Sequence, residues 1–352
     1  MLIFLTSARH DYTIKGFLET EASPLTGRVI NLNFEEFLSW RQLPAGHYIF
    51  ADVDRLKPDE RLAVAARMAE LQRLLPNARL LNHPLRSLGR QALLTALEAA
   101  GINRFRSRRA TEDLSVLHYP LFVRTEVEHG GSLTPLLDDP ASLDAALAEL
   151  AARGVPLAEC LVVEFVDVRN DEGLYEKYGM LRVGDALYGS DLCVNTGWIC
   201  KGENDEYSSE AWVEKDLAFQ RSSPHAELIR PIFELAGIDY GRIDYAFSNG
   251  ALQVFEINSN PTIATVASLR ADWKPAAEQH RQNFVAAMTP LLEPVGSQYY
   301  VRVPGAIGPD RVHAPTRFRY LLRVLLRRLR LLHQEPRIMR LRNRLRALAA
   351  RN

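Results

Sequence analysis

The sequence predicts an α/β protein with α+β subdomains, followed by a basic helical tail. Three observations support this class. Strands and helices alternate through the first hundred residues, two extended runs form a hairpin near residue 250, and leucines recur at helical spacing near the end of the chain. The chain has 352 residues, of which 47% are hydrophobic, so it can build a substantial core in two or three subdomains.

The first layer is predicted from strands that are separated by amphipathic helices. Strands are expected at residues 2–6, 48–53 and 78–81, and helices at residues 58–75 and 86–100. The apolar start has no basic flank before it, so it is interpreted as the first strand and not as a signal peptide. The pattern indicates a small open α/β layer.

The middle of the chain continues with strands and one clear helix. Strands are expected at residues 119–124 and 160–167, and residues 174–185 are expected to form a strand, a turn and a second strand. Residues 140–153 are rich in Ala and Leu, and Asp139 stands before Pro as a natural N-cap for a helix there.

Two further helices are expected around the hairpin, at residues 224–236 and 276–288. The acidic and polar residues 202–223 are expected to form either a mobile substrate loop or a plain surface insertion. A link that carries Pro and Gly follows the second helix at residues 303–309.

The most informative segment is the hairpin within residues 241–263. Its two extended runs are joined by Ser-Asn-Gly, and pairing them brings Asp244 and Glu256 to one face with Asn258 two residues on. Three converging oxygen ligands suit Mg²⁺, which accepts few protein carboxylates and leaves other positions to water and phosphate. A polar hairpin face in water is the alternative, although the flanking residues are apolar enough to bury the strands.

At these residues the chain resembles the ATP-grasp superfamily, and within it the D-alanine–D-alanine ligases and the RimK-like carboxylate–amine ligases. The family signature is an Arg-hydrophobic-Asp strand, a short turn, and a Glu-hydrophobic-Asn strand that runs into Pro. Here it reads RID at residues 242–244 and EINSNP at residues 256–261. The resemblance covers roughly residues 80 to 265, and its specific part is the hairpin.

The resemblance implies a metal site and a catalytic residue in the hairpin. Asp244, Glu256 and Asn258 would hold one or two Mg²⁺ ions, or Mn²⁺, that bridge the phosphates of ATP. Arg242 would stabilise the charge of the transferring phosphoryl group or acyl phosphate. Thr262 stands where the ligases often have Gly, in a loop that helps to form the acceptor pocket, so the acceptor does not carry over from the family.

The resemblance also implies contacts to the phosphates of ATP. Arg124 ends a strand where the family usually has Lys, a change that keeps the charge but adds bulk and a planar fork. A glycine-rich phosphate loop would follow with His129, Gly130 and Gly131, whose glycines let backbone N–H groups approach phosphate. A solvated loop is the alternative role for His129.

The strand at residues 160–167 resembles the hinge between the two ATP-grasp subdomains. Glu164 and the backbone of Phe165 and Val166 would meet the adenine edge, and Asp167 or Asp171 would bind the ribose hydroxyls. A purely structural strand is the alternative.

A basic residue is expected to reach the phosphates from the next strand. Lys177 and Arg182 are both candidates, because Gly179 stands where the family has a side chain, and Lys201 is a third candidate.

The resemblance divides the chain into three parts. Residues 1–105 would form a Rossmann-like pre-ATP-grasp domain, residues 106–295 an ATP-grasp domain with its hinge near residues 164–168, and residues 296–352 a linker and a basic helical tail. The activity implied is an ADP-forming, Mg²⁺-dependent ligase that converts a carboxylate to an acyl phosphate and joins it to an amine. A small-molecule kinase on the same scaffold and a nucleotide-binding adaptor without turnover are the alternatives.

The net charge of zero hides an asymmetry. Of the 43 basic and 43 acidic residues, residues 311–352 hold 13 Arg and a single Glu, so the tail carries about +12 and the body about −12. Two basic amphipathic helices are expected there, docked on the acidic body of this or a sister chain, on a protein partner, or on an anionic membrane surface. Few aromatic residues accompany the arginines, which argues against nucleic acid.

Three cysteines, Cys160, Cys193 and Cys200, have no metal-ligand spacing, and their odd number argues against a disulfide framework. A cytoplasmic location is therefore expected, with peripheral membrane contact through the tail as an extension. Homo-oligomer formation is left open.

Overall fold

The computed structural model describes residues 1–20, 25–127, 130–200, 209–263 and 273–304. Within these ranges the strands form one parallel sheet, two larger antiparallel sheets and a short two-stranded sheet. Helices pack between and against the sheets, so the predicted α/β class is confirmed. The basic tail at residues 311–352 lies outside the described residues.

The N-terminal layer is built on a parallel sheet. The strands of this sheet are β1 (Leu2–Thr6), β2 (Val29–Asn33), β4 (His47–Phe50) and β5 (Leu80–Leu81), and the short strand β3 (Gln42–Pro44) belongs to a separate two-stranded sheet. The helices of this layer are α1 (Tyr12–Thr20), α2 (Phe34–Ser39) and α3 (Pro58–Leu74). The parallel strands lie in the order β2-β1-β4-β5. All of β1 is buried, with Phe4 in one apolar cluster and Leu5 in another, as expected for a strand that is covered on both faces.

The second layer is a three-stranded antiparallel sheet. Helix α4 (Arg90–Ala99) leads to strands β6 (Ser107–Arg109), β7 (Leu121–Thr125) and β8 (Cys160–Glu164), with helix α5 (Pro140–Ala152) between the last two. The strand order is β6-β8-β7. Leu143 and Leu150 of α5 pack against Leu121 and Val123 of β7, which covers one face of this sheet. The Asp139 carboxylate caps α5 by accepting the backbone N–H of Ser142, as predicted for this N-cap.

The third layer is a four-stranded antiparallel sheet. Its strands are β9 (Tyr175–Val183), β10 (Ala186–Asn195), β11 (Tyr240–Ser248) and β12 (Ala251–Asn258), in the order β10-β9-β11-β12. Its helices are α6 (Glu210–Ser222), α7 (Ala226–Ala236) and α8 (Lys274–Met288). Ile229 and Phe233 of α7 are fully buried in one cluster with Tyr245 and Val254, so α7 covers one face of this sheet. A last strand, β13 (Tyr300–Arg302), returns to pair with β3.

The N-terminal layer and the third layer share a core. The ring of Phe4 in β1 lies 5.3 Å from that of Tyr240 in β11, and Phe17 of α1 lies 5.3 Å from Phe284 of α8. The side chain of Asn82 accepts the backbone N–H of Tyr240 at 2.9 Å and donates to its carbonyl at 2.8 Å. These contacts fix the edge of the parallel sheet relative to the hairpin.

Two segments differ from their predictions. The sequence predicts a strand, a turn and a second strand within residues 174–185; β9 runs without a break to Val183, the turn lies at Gly184 and Asp185, and the second strand, β10, begins only at Ala186. Gly179 lies inside β9, where the Asp191 side chain occupies the space that a Cβ would need. Where the sequence predicts a mobile loop or a surface insertion, the described part of residues 202–223 is mainly the helix α6, whose own Leu217 and Phe219 are buried.

No helix in the described ranges is both long enough and apolar enough to cross a membrane.

Candidate functional site

The hairpin forms at the turn that the sequence predicts. Ser248 pairs with Ala251, and Asn249 and Gly250 between them have φ values of 48° and 72°. Two successive residues with positive φ are typical of the two-residue turn that Asn-Gly favours.

A β-bulge in this hairpin brings the polar residues together. Continued regularly from the turn, the pairing would place Asp244 opposite Phe255, but the register shifts after Tyr245. Asp244 therefore lies opposite Glu256, and Arg242 lies opposite Asn258. Because directly paired residues share a face, all four side chains project from the same side of the sheet.

Asp244 is held between two cations. Its carboxylate accepts hydrogen bonds from Lys177 Nζ at 2.9 Å and from Arg242 Nε at 2.9 Å, and only 6% of the side chain is exposed. Burial on its own lowers the pKa of Lys177, but the Asp244 carboxylate outweighs it and holds that pKa above its ordinary value. Asp244 likewise raises the pKa of Arg242. Both cations are therefore fully charged at neutral pH.

Glu256 has its own pair of cations. Arg124 Nη2 donates to Glu256 Oε2 at 2.9 Å, and Arg90 forms a second, shorter ion pair with the same oxygen. Arg90 also donates to the backbone carbonyls of Thr125 and Glu126, so it ties the end of β7 to the hairpin. Sequence reasoning missed Arg90, because a single arginine after Gly89 at a helix start carries no signal.

Asp191 completes this face from β10. It pairs across the sheet with Gly179, and its Oδ1 lies 3.7 Å from Arg242 Nη1. A Cβ at Gly179 would lie 2.4 Å from Asp191 Oδ1, so glycine leaves the space that this carboxylate occupies. The close approach accounts for the missing side chain at the position where the ATP-grasp pattern has one.

A cavity of about 650 Å³ lies between the second and third layers. The polar face of the hairpin forms one wall, and β7 and β8 form the other. The predicted residues that line it are Arg124, Gly131, Glu164, Phe165, Val166, Lys177, Arg242, Asp244, Glu256 and Asn258. The structure thus brings charged residues from four strands and the predicted hinge around one cavity.

One side of the cavity is aromatic. The ring of Trp198 lies 5.0 Å from Phe122 and 6.0 Å from Phe165, and all three line the cavity. Flat aromatic surfaces of this kind suit a heterocyclic base. Sequence reasoning did not single out Trp198, which comes from the segment after β10.

Glu164 is tightly bound within the fold. Its carboxylate accepts backbone N–H groups of Arg106 at 2.8 Å and His118 at 2.7 Å, and the Arg106 side chain at 3.0 Å. The neighbouring Phe165 N–H donates to the Pro120 carbonyl at 2.9 Å. The end of β8 is therefore fixed against the segment that enters β7.

Several predicted residues lie away from the cavity. Asp167 pairs with Arg169, whose hydrogen bond lowers the pKa of that carboxyl group, and Asp171 is exposed in a turn. Arg182 donates to the carbonyls of Gly184 and Ile238 on the other side of β9.

The glycine-rich segment is only partly described. Gly131 lines the cavity, whereas Gly130, beside it in sequence, is not among the lining residues. His129 and Lys201 lie outside the described residues.

The polar face fits a divalent metal bound together with phosphate. Two carboxylates stand opposite each other with an amide oxygen two residues along the same face, although the described residues hold no group of three or more His, Cys, Asp or Glu side chains suited to a metal on their own. A hard cation that shares its ligands with phosphate needs no more than one or two protein carboxylates. Arg124 also has a buried Nε–H with no hydrogen-bond partner among the described residues, as expected for a group that awaits an anion.

No family model and no curated protein sequence matches the chain. Solved structures do match, at low identity. D-alanine–D-alanine ligase from Bacillus anthracis matches at 13% identity and a TM-score of 0.47, covering 84% of this chain and 96% of that one. A RimK domain ATP-grasp protein from Sphaerobacter thermophilus matches at 14% identity and a TM-score of 0.45, covering 80% and 99%. L-amino acid ligase from Bacillus licheniformis matches at 13% identity and a TM-score of 0.42, covering 83% and 74%. These are structures to which the chain is similar, each at 13–14% identity.

Proposed function

We propose that the chain is an ATP-dependent ligase that activates a carboxylate as an acyl phosphate and joins it to an amine, releasing ADP and phosphate. The observation that carries this proposal is the polar face of the hairpin, where Lys177 and Arg242 flank Asp244 and Arg124 meets Glu256 at the wall of a cavity. Alternating cations and carboxylates of this kind suit a polyphosphate bound together with a divalent metal.

The nucleotide base would enter the aromatic side of the cavity, between Phe122, Phe165 and Trp198. The triphosphate would then extend along the polar face toward Lys177 and Arg242. Arg124 reaches the same space from β7, and its unpartnered Nε–H gives it a donor for a phosphate oxygen.

Asp244, Glu256 and Asn258 would hold Mg²⁺, or Mn²⁺ in its place. The metal would neutralise phosphate charge and polarise the transferring phosphoryl group. When phosphate and metal are bound, the cations that now neutralise the two carboxylates can turn to phosphate oxygens. These ion pairs thus keep the cations and the carboxylates in the positions at which they would bind phosphate and metal.

The reaction itself needs positioning and not a protein nucleophile. A substrate carboxylate oxygen bonds to the γ-phosphorus, and the bond from that phosphorus to the bridging oxygen of ADP breaks. The amine nitrogen then bonds to the acyl carbon, phosphate leaves with the electron pair of the C–O bond, and the nitrogen gives up a proton. Arg242 stands where it can stabilise the acyl phosphate, with its pKa raised and its charge permanent.

The proposal is tested by trapping the acyl phosphate. The full-length protein is incubated with Mg·ATP, hydroxylamine and a pool of carboxylates that includes the twenty common amino acids and D-alanine. Hydroxylamine is a small neutral nucleophile, so an acyl hydroxamate and an equal amount of ADP are expected. Asp244→Asn should lower both by about 100-fold or more, whereas Asp144→Asn, a change at an exposed position of α5, should not.

Carboxylate-dependent ADP without hydroxamate or amide would contradict the ligase proposal. Stable phosphorylation of a hydroxyl compound would favour a kinase, and Mg·ATP binding without any turnover would favour an adaptor.

A further inference from the structure

The end of the cavity that lies between β10, α6 and α8 has a chemical character of its own. We define this acidic end by Asp191 of β10, Asp216 and Gln220 of α6, and His280 of α8, all of which line the cavity. None of the cavity-lining residues on α6 and α8 in the described ranges is Lys or Arg. The charge here is therefore opposite to that of the phosphate-facing side.

Asp191 connects the two sides. One of its oxygens accepts the Ser190 hydroxyl at 2.6 Å and lies 3.7 Å from Arg242 Nη1. The residue lies within the sheet, yet 40% of its side chain is exposed, and it faces the cavity. Burial disfavours its ionised form, but Arg242 and the Ser190 hydroxyl outweigh this and hold the pKa of Asp191 below its ordinary value. Asp191 is therefore a carboxylate at neutral pH, beside the residue proposed to bind the acyl phosphate.

Asp216 faces the same space from α6. Its Oδ1 accepts the backbone N–H of Leu192 at 2.9 Å and Gln220 Nε2 at 3.0 Å. These bonds fix the carboxyl group next to β10. Burial, with the charge of Asp191 added, raises the pKa of Asp216 to about 7. The group can therefore both hold and release a proton near neutral pH.

Two further side chains each have one buried atom without a hydrogen-bond partner among the described residues. Gln220 is 3% exposed, and its Nε2 donates to Asp216. Its Oε1 has no hydrogen-bond partner among the described residues. His280 Nδ1 is likewise buried and without a partner in the described part of the chain. Burial lowers the pKa of His280 to about 4, so the imidazole is neutral and adds no positive charge. Buried acceptors without donors cost free energy until a ligand supplies the donors.

We propose that the acidic end binds the ammonium group of the amine substrate, with Asp191 and Asp216 facing its charge and Gln220 Oε1 accepting one of its N–H bonds. An ammonium group carries three donors and one positive charge, which matches two carboxylates and an unpartnered amide oxygen. A second carboxylate substrate would be repelled here. This inference rests on the proposed ligase function for its role in turnover, although the binding itself can be tested alone.

The position also provides an acceptor for the proton that the ammonium group must lose before its nitrogen can bond to the acyl carbon. Asp216 accepts that proton and passes it to water. After the nitrogen has bonded to the acyl carbon, it gives a second proton to the phosphate, which leaves with the electrons of the C–O bond. Arg242 stands between the two substrates, 3.7 Å from Asp191 on the amine side. Arg242 would thus lie next to both the amine and the activated carboxylate.

Binding is tested first with a matched pair of probes. L-Alaninamide has an ammonium group and no carboxylate, and lactamide has a hydroxyl in place of that ammonium. Binding of each to the full-length protein with Mg·ADP is measured at pH 7 by saturation-transfer NMR. Saturable alaninamide binding is expected, with lactamide at least about tenfold weaker, which is the effect of one buried charged hydrogen bond.

Variants assign that binding to the acidic end. Asp191→Asn and Asp216→Asn should each weaken alaninamide about tenfold or more, while Asp144→Asn on the surface of α5 should leave it unchanged. Circular dichroism melting identifies any variant that fails to fold, and the other variant then carries the test. Equal binding of both probes, no alaninamide binding, or binding that survives both substitutions would overturn the inference.

Turnover separates this inference from the ligase proposal. In Asp216→Asn, the KM for the amine should rise about tenfold or more, while Asp144→Asn on the surface of α5 should leave it within about twofold. If the wild-type protein forms no hydroxamate, the result would count against the ligase proposal alone. If the KM for the amine is unchanged in Asp191→Asn and in Asp216→Asn, while the wild-type protein forms hydroxamate, the result would count against the acidic end alone.

Discussion

Replacing Glu256 with Gln should destabilise the folded chain, apart from any effect on chemistry. Glu256 is the carboxylate that two arginines share, and the exposed fractions are 5% for Arg90, 14% for Arg124 and 13% for Glu256. Glutamine keeps the shape of the side chain but removes the charge. Two guanidinium groups then remain in a nearly buried site with their main counter-charge gone.

The magnitude follows from the burial of these groups. At an effective dielectric constant near 20, each pair at about 4 Å is worth roughly 4 kcal/mol of Coulomb energy, part of which desolvation has already cancelled. Removing one partner of a buried pair costs about 3–5 kcal/mol. We expect a loss of about 3 kcal/mol in the free energy of unfolding, or about 4 °C in melting temperature for a chain of this size.

Urea titration of the full-length protein measures this loss, with Glu149→Gln as the matched control. Glu149 pairs with Arg153 on the surface, where the two side chains are 72% and 60% exposed, so that change should cost less than about 0.5 kcal/mol. The double variant Arg124→Met/Glu256→Gln should lose less than the sum of its single changes by about 1 kcal/mol or more. If the losses in the free energy of unfolding simply add in the double variant, or if the Glu256→Gln protein is as stable as the wild type, the ion pairs of Glu256 do not stabilise the fold.

Three further outcomes are expected. Lys177→Met should raise the KM for Mg·ATP about tenfold, and Arg182→Met should leave it within about twofold because Arg182 lies on the other side of β9. Gly179→Ala should cost about 1–3 kcal/mol in urea titration, since its Cβ would lie 2.4 Å from an oxygen of Asp191, and a cost near zero would contradict the packing. Burial raises the pKa of Asp216 from 3.8 to about 7, so the folded chain keeps a proton that the unfolded chain releases. Wild-type stability should therefore fall between pH 5 and pH 8 by about 2–3 kcal/mol more than that of Asp216→Asn, and parallel pH profiles would contradict this shift.

The hairpin was the part of the site that sequence predicted best. The Ser-Asn-Gly turn and the alternation on either side of it are local signals, so Asp244, Glu256 and Asn258 could be assigned to one face without knowledge of the fold. The bulge that makes this assignment hold was not predicted. Strict alternation from the turn would have placed Phe255 opposite Asp244, and a bulge leaves no clear trace in a single sequence.

The remaining site residues depend on tertiary contacts. Arg90, Asp216 and His280 come from three different helices, and their meeting with the sheet is set by how those helices pack. Choosing between Lys177 and Arg182 requires knowing which face of β9 lies on the same side as the polar residues of the hairpin. The pairing of β9 with β11 fixes that face. The acidic and polar composition of residues 202–223 predicts a mobile loop or a surface insertion, because α6 buries only one short stretch, at Leu217, Phe219 and Gln220, which gives a weak helical pattern.

The most direct test of the central claim is acyl hydroxamate formation by the full-length protein with Mg·ATP, hydroxylamine and the carboxylate pool. Hydroxamate and ADP are expected in equal amounts, dependent on one class of carboxylate and lost in Asp244→Asn. Absence of hydroxamate with every carboxylate, or formation that persists unchanged in Asp244→Asn, would contradict the assignment of the hairpin face as the site of carboxylate activation.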